Sequence, residues 1–268
     1  MVSFREFIHG FQELNLPRPR PVILHASLSS FGEVRGGAET VLGALLTMVD
    51  ALIVPTFTYK TMLIPETGPE DNAIVYGSGR EQNRSTLMFR PDMPADPLMG
   101  IIPETVRLRP QVQRSIHPIL SFAGINVEAA LQAQTMEQPL EPFRVLVEQA
   151  GWVLLLGVNH TVNTGIHYAE KLAGRKQFQR WALTTRGVRG CPGFPGCSFG
   201  FERVSAHLVR FTRWVKIGQA AVQAIPLQPM IDTITNLLHR DPLALLCSQA
   251  DCERCNAVRK SVKLEHGT

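Results

Sequence analysis

The sequence lacks any apolar run long enough to cross a bilayer, because its most apolar stretch is interrupted by Asp50 and Pro55. Aromatic residues make up only 7% of the chain, and no stretch alternates them with basic residues. The net charge of +4 is not gathered into a basic stripe, which argues against nucleic acid or a membrane surface as a partner. No internal repeat is present.

The N-terminal segment also lacks the features of a secretion signal. Arg5, Glu6 and Glu13 interrupt it, while its apolar residues recur at helical spacing, so we predict an amphipathic helix there. Apolar residues make up 44% of the chain and charged residues 19%, a composition typical of globular proteins. We therefore expect a cytoplasmic protein that forms a single domain over residues 1–268.

Cysteines are few, and their odd number argues against a disulfide framework in a chain without a secretion signal. Four of the thiolates could form a tetrahedral zinc site, but they fall into two groups far apart along the chain. We therefore interpret the cysteines as reduced structural thiols and predict no metal site. The five cysteines are Cys191, Cys197, Cys247, Cys252 and Cys255.

Continuous apolar runs predict strands that are covered on both faces. Such runs occur at Val22–His25, at residues 51–57 and at Trp152–Leu156, with helical patterns between them. This order predicts an α/β fold with a central mainly parallel or mixed sheet flanked by helices. The polar segment of residues 59–97, broken by proline and glycine, is expected to be a substrate-side insertion.

The C-terminal region, about residues 187–268, contains all the cysteines. Its first part, residues 187–200, is rich in glycine and proline and is expected to consist of turns. A helix is expected from Phe201 onward. Two further helices are expected earlier in the chain, at residues 127–134 and 142–149.

Polar side chains follow the apolar run at Trp152–Leu156. A helix beginning near Thr164, with Asn163 or Thr164 as its N-cap, would place His167 and Glu170 on one face. A carboxylate that orients an imidazole is the arrangement of a general base. An ordinary surface pair of histidine and glutamate has the same spacing, so the pattern alone leaves both interpretations open.

A second group of polar residues lies between His25 and Gly37, where a strand leads through a Ser/Gly loop into a helix. Exposed N–H groups at the start of that helix suit a phosphate or pyrophosphate. The loop matches neither of the common glycine-rich nucleotide motifs, so its spacing alone favours a connection without a ligand. Arg114, Ser115 and His117 form a third, weaker group.

Three short motifs follow one another between Pro21 and Glu170. They are His-x-Ser-Leu-Ser-Ser in "HASLSSFGEVRGGAETVLGALL", Arg-Ser-x-His-Pro in "FRPDMPADPLMGIIPETVRLRPQVQRSIHPILSFAG", and Asn-Thr-x-x-His-x-Ala-Glu in "WVLLLGVNHTVNTGIHYAE". With "VPTFTY" between the first two, these segments resemble the aminoglycoside 3-N-acetyltransferase family. That family transfers an acetyl group from acetyl-CoA to a primary amine and has its own α/β fold, unrelated to GCN5-type acetyltransferases.

The resemblance implies a role for each matching residue. His167 corresponds to the catalytic general base, with Glu170 and Thr164 beside it. The implied acetyl-CoA side comprises His25, Ser27, Leu28, Ser30, Val34, Arg35, Gly36, Gly37, Arg114 and Ser115. On the acceptor side we place Tyr59, Asp71, Asp96 and Asn163.

The resulting hypothesis is direct acetyl transfer from acetyl-CoA to the 3-amino group of an aminoglycoside, with His167 as the base. One alternative keeps the cofactor and changes the acceptor to another amine. A second alternative, from a different class, is a zinc-binding assembly module without catalytic activity. A homodimer is compatible with the sequence but is not indicated by it.

Overall fold

The computed structural model describes residues 1–266. Helices and strands alternate along most of the chain, with short 3₁₀ turns between them. The helices are α1 Phe4–Leu14, α2 Gly37–Leu46, α3 Arg80–Arg84, α4 Ile101–Arg107, α5 Glu128–Ala133, α6 Pro142–Glu148, α7 Thr164–Leu172, α8 Ser205–Leu208, α9 Leu227–Arg240 and α10 Glu253–His266. The strands are β1 Val22–Ala26, β2 Leu52–Pro55, β3 Met62–Leu63, β4 Gln113–Arg114, β5 Phe122–Ile125, β6 Trp152–Leu156, β7 Phe178–Thr184, β8 Gly187–Phe194, β9 Arg213–Ile217 and β10 Ala220–Pro226.

A sheet of seven strands forms the centre of the fold, in the order β4-β5-β2-β1-β6-β10-β9. Its middle strands β2, β1 and β6 are parallel, with Val22 beside Leu52 on one side and beside Trp152 on the other. All outer pairs, from β5–β4 at one edge to β10–β9 at the other, are antiparallel. The predicted α/β fold is confirmed, and its sheet is mixed.

Helices cover the sheet on both faces, and β6 shows why its sequence is apolar throughout. Leu154 packs into a core with α1 and α2, whereas Leu155 packs into the opposite core with α6, α7 and α9. Every residue of β6 is buried. A strand with two covered faces needs no polar positions, as the continuous apolar run predicts.

Helix α1 forms where its apolar spacing predicts. Ser3 caps it, and the side chains of Ser3 and Glu6 each accept the other's backbone N–H in a capping box. Phe7, Phe11 and Leu14 are fully buried against the sheet. The exposed face carries the charged residues Arg5, Glu6 and Glu13. No helix in the described residues is both long and apolar enough to cross a membrane.

The small sheet β3-β7-β8 corrects one expectation. Residues 187–200 were expected to be turns, but Gly187–Phe194 is strand β8 and pairs along the length of β7. Gly187, with φ +87°, is the first residue of β8 after the two-residue connection from β7. Only Cys191 and Phe194 of this strand are buried, so the hairpin partner rather than the local sequence stabilises it. Beyond the strand, the expected helix from Phe201 is a 3₁₀ turn followed by the short α8.

The insertion of residues 59–97 is attached to this small sheet. Asn72 donates to the carbonyl of Gln179 (2.9 Å) and accepts the N–H of the same residue (2.7 Å). Phe89 donates its N–H to the carbonyl of Leu183 (2.8 Å). These bonds, together with the pairing of β3 and β7, attach the insertion to the small sheet along β7.

Candidate active site

A cavity of about 1050 Å³ lies at the carboxyl ends of the parallel strands. Ala26 ends β1, Pro55 ends β2 and Val158 follows β6, and all three contribute to its wall. Residues 98–103 and 194–199 provide much of the remaining wall. Open α/β sheets place ligands at this edge, so the fold directs attention to the cavity independently of any motif.

The cavity brings together residues from both of the stronger polar groups in the sequence. The loop after β1 and the start of α7 meet there, although they are far apart in the chain. The predicted site residues in the wall are His25, Ser27, Leu28, Val34, Gly37, Tyr59, Asn163, Thr164 and His167.

Three residues of the His25–Gly37 loop that were expected on the cofactor side, Ser30, Arg35 and Gly36, lie outside the cavity wall. Ser30 donates to the carbonyl of Gly157 (2.6 Å), which fixes the loop on the end of β6. Gly157 has φ +66°, and a Cβ there would lie 2.5 Å from the Ser30 Cβ, so this contact requires glycine. Gly36, also at positive φ, caps α2, and the Arg35 side chain is exposed beside it.

Arg114 and Ser115 were expected on the cofactor side, but the structure does not bring them to the cavity. The Arg114 guanidinium donates to the carbonyls of Thr56 (2.7 Å) and Met93 (2.5 Å). The Ser115 hydroxyl is buried and accepts the N–H of Phe122 (2.9 Å). Both side chains hold loops onto β5, so we do not include them in the proposed cofactor site.

Two acidic residues expected on the acceptor side also lie outside the wall. Asp71 forms an ion pair with Lys260 of α10 at 2.6 Å. Asp96 accepts the N–H of Leu98 (3.0 Å) and so caps the turn that leads into the cavity wall. Tyr59 does line the cavity, and burial raises its pKa to about 12, so its hydroxyl remains a neutral hydrogen-bonding group.

His167 presents one ring nitrogen to the protein and the other to the cavity. Its Nδ1 lies 2.7 Å from Oε2 of the buried Glu170, one helical turn further along α7. Nε2 has no partner among the described residues, and the ring packs edge-on against Phe201 with 4.7 Å between ring centroids. With Nδ1–H donating to the carboxylate, the Nε2 lone pair is left available to a molecule in the cavity.

Glu170 is held in turn by Arg175. The Arg175 Nη1 donates to Oε1 of Glu170 (2.7 Å), and its Nη2 donates to the carbonyls of Pro242 (2.6 Å) and Ala244 (2.7 Å). Burial raises the pKa of the Glu170 carboxyl, but the hydrogen bonds and charges of His167 and Arg175 outweigh it and hold that pKa below its ordinary value. Glu170 is therefore an ionised carboxylate that fixes the orientation of His167.

The start of α7 positions Thr164 and His167. Of the two predicted N-caps, Asn163 is the one that forms. Its side chain accepts the N–H of Gly165 (3.1 Å). Its amide group also contacts Nδ1 of the buried His160 at 3.2 Å. Thr164 lines the cavity, and its N–H donates to Nε2 of His25 (3.4 Å). That bond connects the end of β1 to the beginning of α7.

His25 is the second histidine in the wall, and its environment opposes a positive charge. Burial lowers the pKa of His25 to about 3, and the nearby His160 adds to the effect. The neutral ring accepts the N–H of Thr164 and cannot do so through the same nitrogen when protonated. His25 is therefore a structural hydrogen-bond acceptor at neutral pH.

The pKa of His25 differs between the folded and the unfolded chain, and this difference predicts that the free energy of unfolding depends on pH. The unfolded chain protonates His25 near pH 6.5 but the folded chain only near pH 3, so its stabilising effect is lost as the pH falls through that window. Relative to His25→Gln, the wild-type free energy of unfolding should fall by about 1.4 kcal/mol per pH unit between about pH 6 and pH 4. Urea unfolding at several pH values measures this. The exposed His207→Gln serves as control, and parallel profiles for His25→Gln and wild type would contradict the assignment.

Sequence reasoning missed a group of aromatic and basic residues in the wall. Arg180 packs against the rings of Phe178 (5.4 Å) and Phe194 (5.0 Å), and Arg254 lies nearby. Burial and the charge of Arg254 lower the pKa of Arg180 to about 10. Phe199 completes this side of the cavity. The described wall contains no carboxylate.

The fold and the site together define an α/β protein with a ligand-sized cavity and a histidine–carboxylate–arginine chain that reaches the cavity wall through His167. The sequence profile of the family described as "Aminoglycoside 3-N-acetyltransferase" matches residues 23–239. The chain therefore belongs to the aminoglycoside 3-N-acetyltransferase family.

Individual relatives agree with this assignment. Aminoglycoside N(3)-acetyltransferase IX of Micromonospora chalcea is 32% identical over 176 residues, which cover 62% of this chain and 60% of that protein. The solved structure of the aminoglycoside acetyltransferase AAC(3)-IVa apoenzyme superimposes with a TM-score of 0.79 at 24% identity, over 97% of this chain and 98% of that one. A binary complex of AAC-IIIb with CoASH superimposes with a TM-score of 0.72 at 20% identity, over 89% and 97%.

Proposed function

We propose that the protein is an acetyl-CoA-dependent N-acetyltransferase whose acceptor is a primary amine, with the 3-amino group of an aminoglycoside as the first candidate. The observation that carries the proposal is the His167–Glu170–Arg175 chain, which ends at the cavity with a free imidazole nitrogen. Family membership and the names of the relatives supply the acetyl donor and the acceptor.

The chemistry follows from the available nitrogen of His167. An amine attacks a thioester only as the neutral base, so Nε2 of His167 accepts the proton that the attacking nitrogen loses. The new C–N bond forms, the C–S bond breaks, and coenzyme A leaves as a thiolate, which takes back from the His167 imidazolium the proton that the amine has lost. The Glu170 carboxylate stabilises the imidazolium formed in between. Glu170 and Arg175 act through His167 and are positioning residues.

Thr164 is suited to the charge that develops on the carbonyl oxygen of the acetyl group. Its side chain lies in the cavity wall one turn before His167, and no protein group accepts its hydroxyl hydrogen among the described residues. A hydroxyl at this place can donate to the oxyanion of the tetrahedral intermediate. We assign this role to Thr164 as part of the proposal.

For the acetyl donor we propose the loop after β1. Ser27, Leu28 and Val34 line the cavity, and α2 begins at its edge with Gly37, where a Cβ would meet no other atom within 4 Å. A phosphate group is favoured at the start of a helix, where N–H groups are unpaired and the helix dipole is positive. The exposed Arg35 adds a full positive charge next to that position.

The loop assignment predicts a specific loss of affinity. Arg35→Ala should raise the Kd for coenzyme A about tenfold, equivalent to about 1.4 kcal/mol, because one charge-assisted contact to phosphate is removed. Thermal stabilisation by coenzyme A measures the change, since a ligand at 100 times its Kd stabilises the native state by about 2.7 kcal/mol. Arg5→Ala, at an exposed position of α1, is the matched control. Equal affinities of Arg35→Ala and wild type would remove Arg35 from the site.

A second acceptor class is favoured by the charges in the wall. Aminoglycosides are polycations, whereas the described wall holds Arg180 and Arg254 and no carboxylate. Two neighbouring guanidinium groups without an acidic partner suit an amine that also carries a carboxylate or phosphate. This candidate keeps the same donor and the same base and changes only the recognition of the acceptor.

Loss of the acetyl-CoA thioester, followed directly by absorbance, tests the proposal. The panel contains aminoglycosides, neutral amines, and amines that carry a carboxylate or phosphate. Turnover with an aminoglycoside supports the first candidate, and turnover confined to the anionic amines supports the second. Absence of both turnover and stabilisation by coenzyme A would overturn the proposed function.

A further inference from the structure

Four cysteine side chains from three separate segments meet next to the cavity. Cys197 belongs to the wall segment of residues 194–199, Cys247 follows α9, and Cys252 and Cys255 lie at the start of α10. Their four sulfur atoms all lie within 4.8 Å of one another. Three of these side chains are buried, and Cys252 is partly exposed.

We propose that Cys197, Cys247, Cys252 and Cys255 bind one structural zinc ion. Zinc–thiolate bonds of about 2.3 Å in a tetrahedron place the sulfur atoms about 3.8 Å apart, within the spread seen here. The Cys-x-x-Cys pair has the tight spacing of a zinc knuckle, and both of its sulfur atoms belong to the cluster. Since the protein supplies all four ligands, the site is closed and serves structure rather than catalysis.

The surroundings of the cluster suit the net negative charge of zinc with four thiolates. Arg254 donates to the carbonyl of Gly196 (2.9 Å), and Arg259 donates to the carbonyl of Cys247 (2.6 Å). Arg203 donates to the carbonyl of the residue directly before Cys247. Among the described side chains, no ion pair joins any of these three arginines to a carboxylate. The N–H of Phe199 also donates to the Cys197 sulfur, at 3.5 Å.

The proposed zinc would fix one wall of the cavity. Cys197 lies between Gly196 and Ser198, which both line the cavity, and Arg254 stands between two of the ligands. A metal that joins these segments therefore holds Arg254 and Phe199 in place. The zinc site is independent of the reaction proposed above, because no ligand would be shared with the substrates.

The metal content of the full chain tests this inference. Protein purified under reducing conditions from zinc-supplemented medium should contain one zinc per chain by elemental analysis. Cys252→Ser should reduce the zinc content at least about tenfold, because a hydroxyl is a far poorer ligand than a thiolate. Cys191→Ser, at a buried cysteine of β8 outside the cluster, should leave the zinc content unchanged.

A second measurement does not depend on a folded variant. Titration of the wild-type thiols with a mercurial reagent should release zinc in step with the reaction of four thiols, and should lower the melting temperature. Wild-type protein without stoichiometric zinc would overturn the inference, as would iron in its place. Equal zinc loss in Cys191→Ser and Cys252→Ser would overturn the ligand assignment.

Discussion

His167→Ala should lower kcat for the proposed acetyl transfer by about 10²–10⁴-fold, because the variant lacks the proposed base for the proton of the attacking amine. His167 contributes only a modest share of the buried core, and its ring contacts the cavity on one side. Binding of coenzyme A should therefore be nearly unchanged. Steady-state rates with saturating substrates, together with thermal stabilisation by coenzyme A, separate the two effects.

Controls for this prediction come from the same chain. His207→Ala removes an exposed histidine in α8 and should leave kcat unchanged. Glu170→Gln should lower kcat less than His167→Ala, while changing the pH dependence of the rate, because it removes the charge that supports the imidazolium. A variant His167→Ala that retains wild-type kcat would exclude His167 as the base.

Arg175→Met should reduce the free energy of unfolding by about 3–5 kcal/mol, because it leaves the buried Glu170 carboxylate without its partner. The side chains of Arg175 and Glu170 are 4% and 2% exposed, so water cannot replace the lost bond. Two backbone carbonyls also lose their donor. Urea unfolding at neutral pH measures the loss. Kinetic assays should show lower kcat as well, since His167 is no longer held.

The matched control is Arg144→Met. Arg144 pairs with Glu141 and Glu148 at the surface, where the side chain is 46% exposed, so its loss should cost less than about 1 kcal/mol. Acid provides a further check. Because the folded-state pKa of Glu170 is lowered, its pairing stabilises the protein above the ordinary carboxyl range and is lost as the pH falls through the folded pKa. The difference between Arg175→Met and wild type should therefore shrink in acid, and a constant difference would contradict this account.

The elements next to the candidate active site could be predicted because their signals are local. A continuous apolar run indicates β6, and the N-cap with helical spacing indicates α7, so His167 and Glu170 could be placed one turn apart. The Ser/Gly loop before α2 was expected at the cofactor site only through the family resemblance, because its spacing alone favours a connection without a ligand. Most of the wall residues in the loop after β1 and at the start of α7 were therefore predicted from the sequence, by local pattern or by resemblance.

The remainder depends on contacts between distant segments. Strand β8 consists of residues that favour turns and is fixed by its pairing with β7. Arg114 has the residue type of a phosphate ligand, yet the carbonyls around it come from loops that no local pattern brings together. The partner of Glu170, Arg175, follows α7 closely, but only the fold shows that it is buried. Cys197 likewise joins the other three cysteines only through the tertiary structure.

The bonds from Arg175 to the carbonyls of Pro242 and Ala244 also determine when the site can form during synthesis. On the ribosome, α7 emerges long before these carbonyls, and β6 must wait for β10 to complete its pairing. Such long-range contacts are made late and slow folding. The nascent chain therefore carries an incompletely bonded Arg175 until the segment after α9 has left the ribosome, and the Glu170–His167 pair is held in its final place only then.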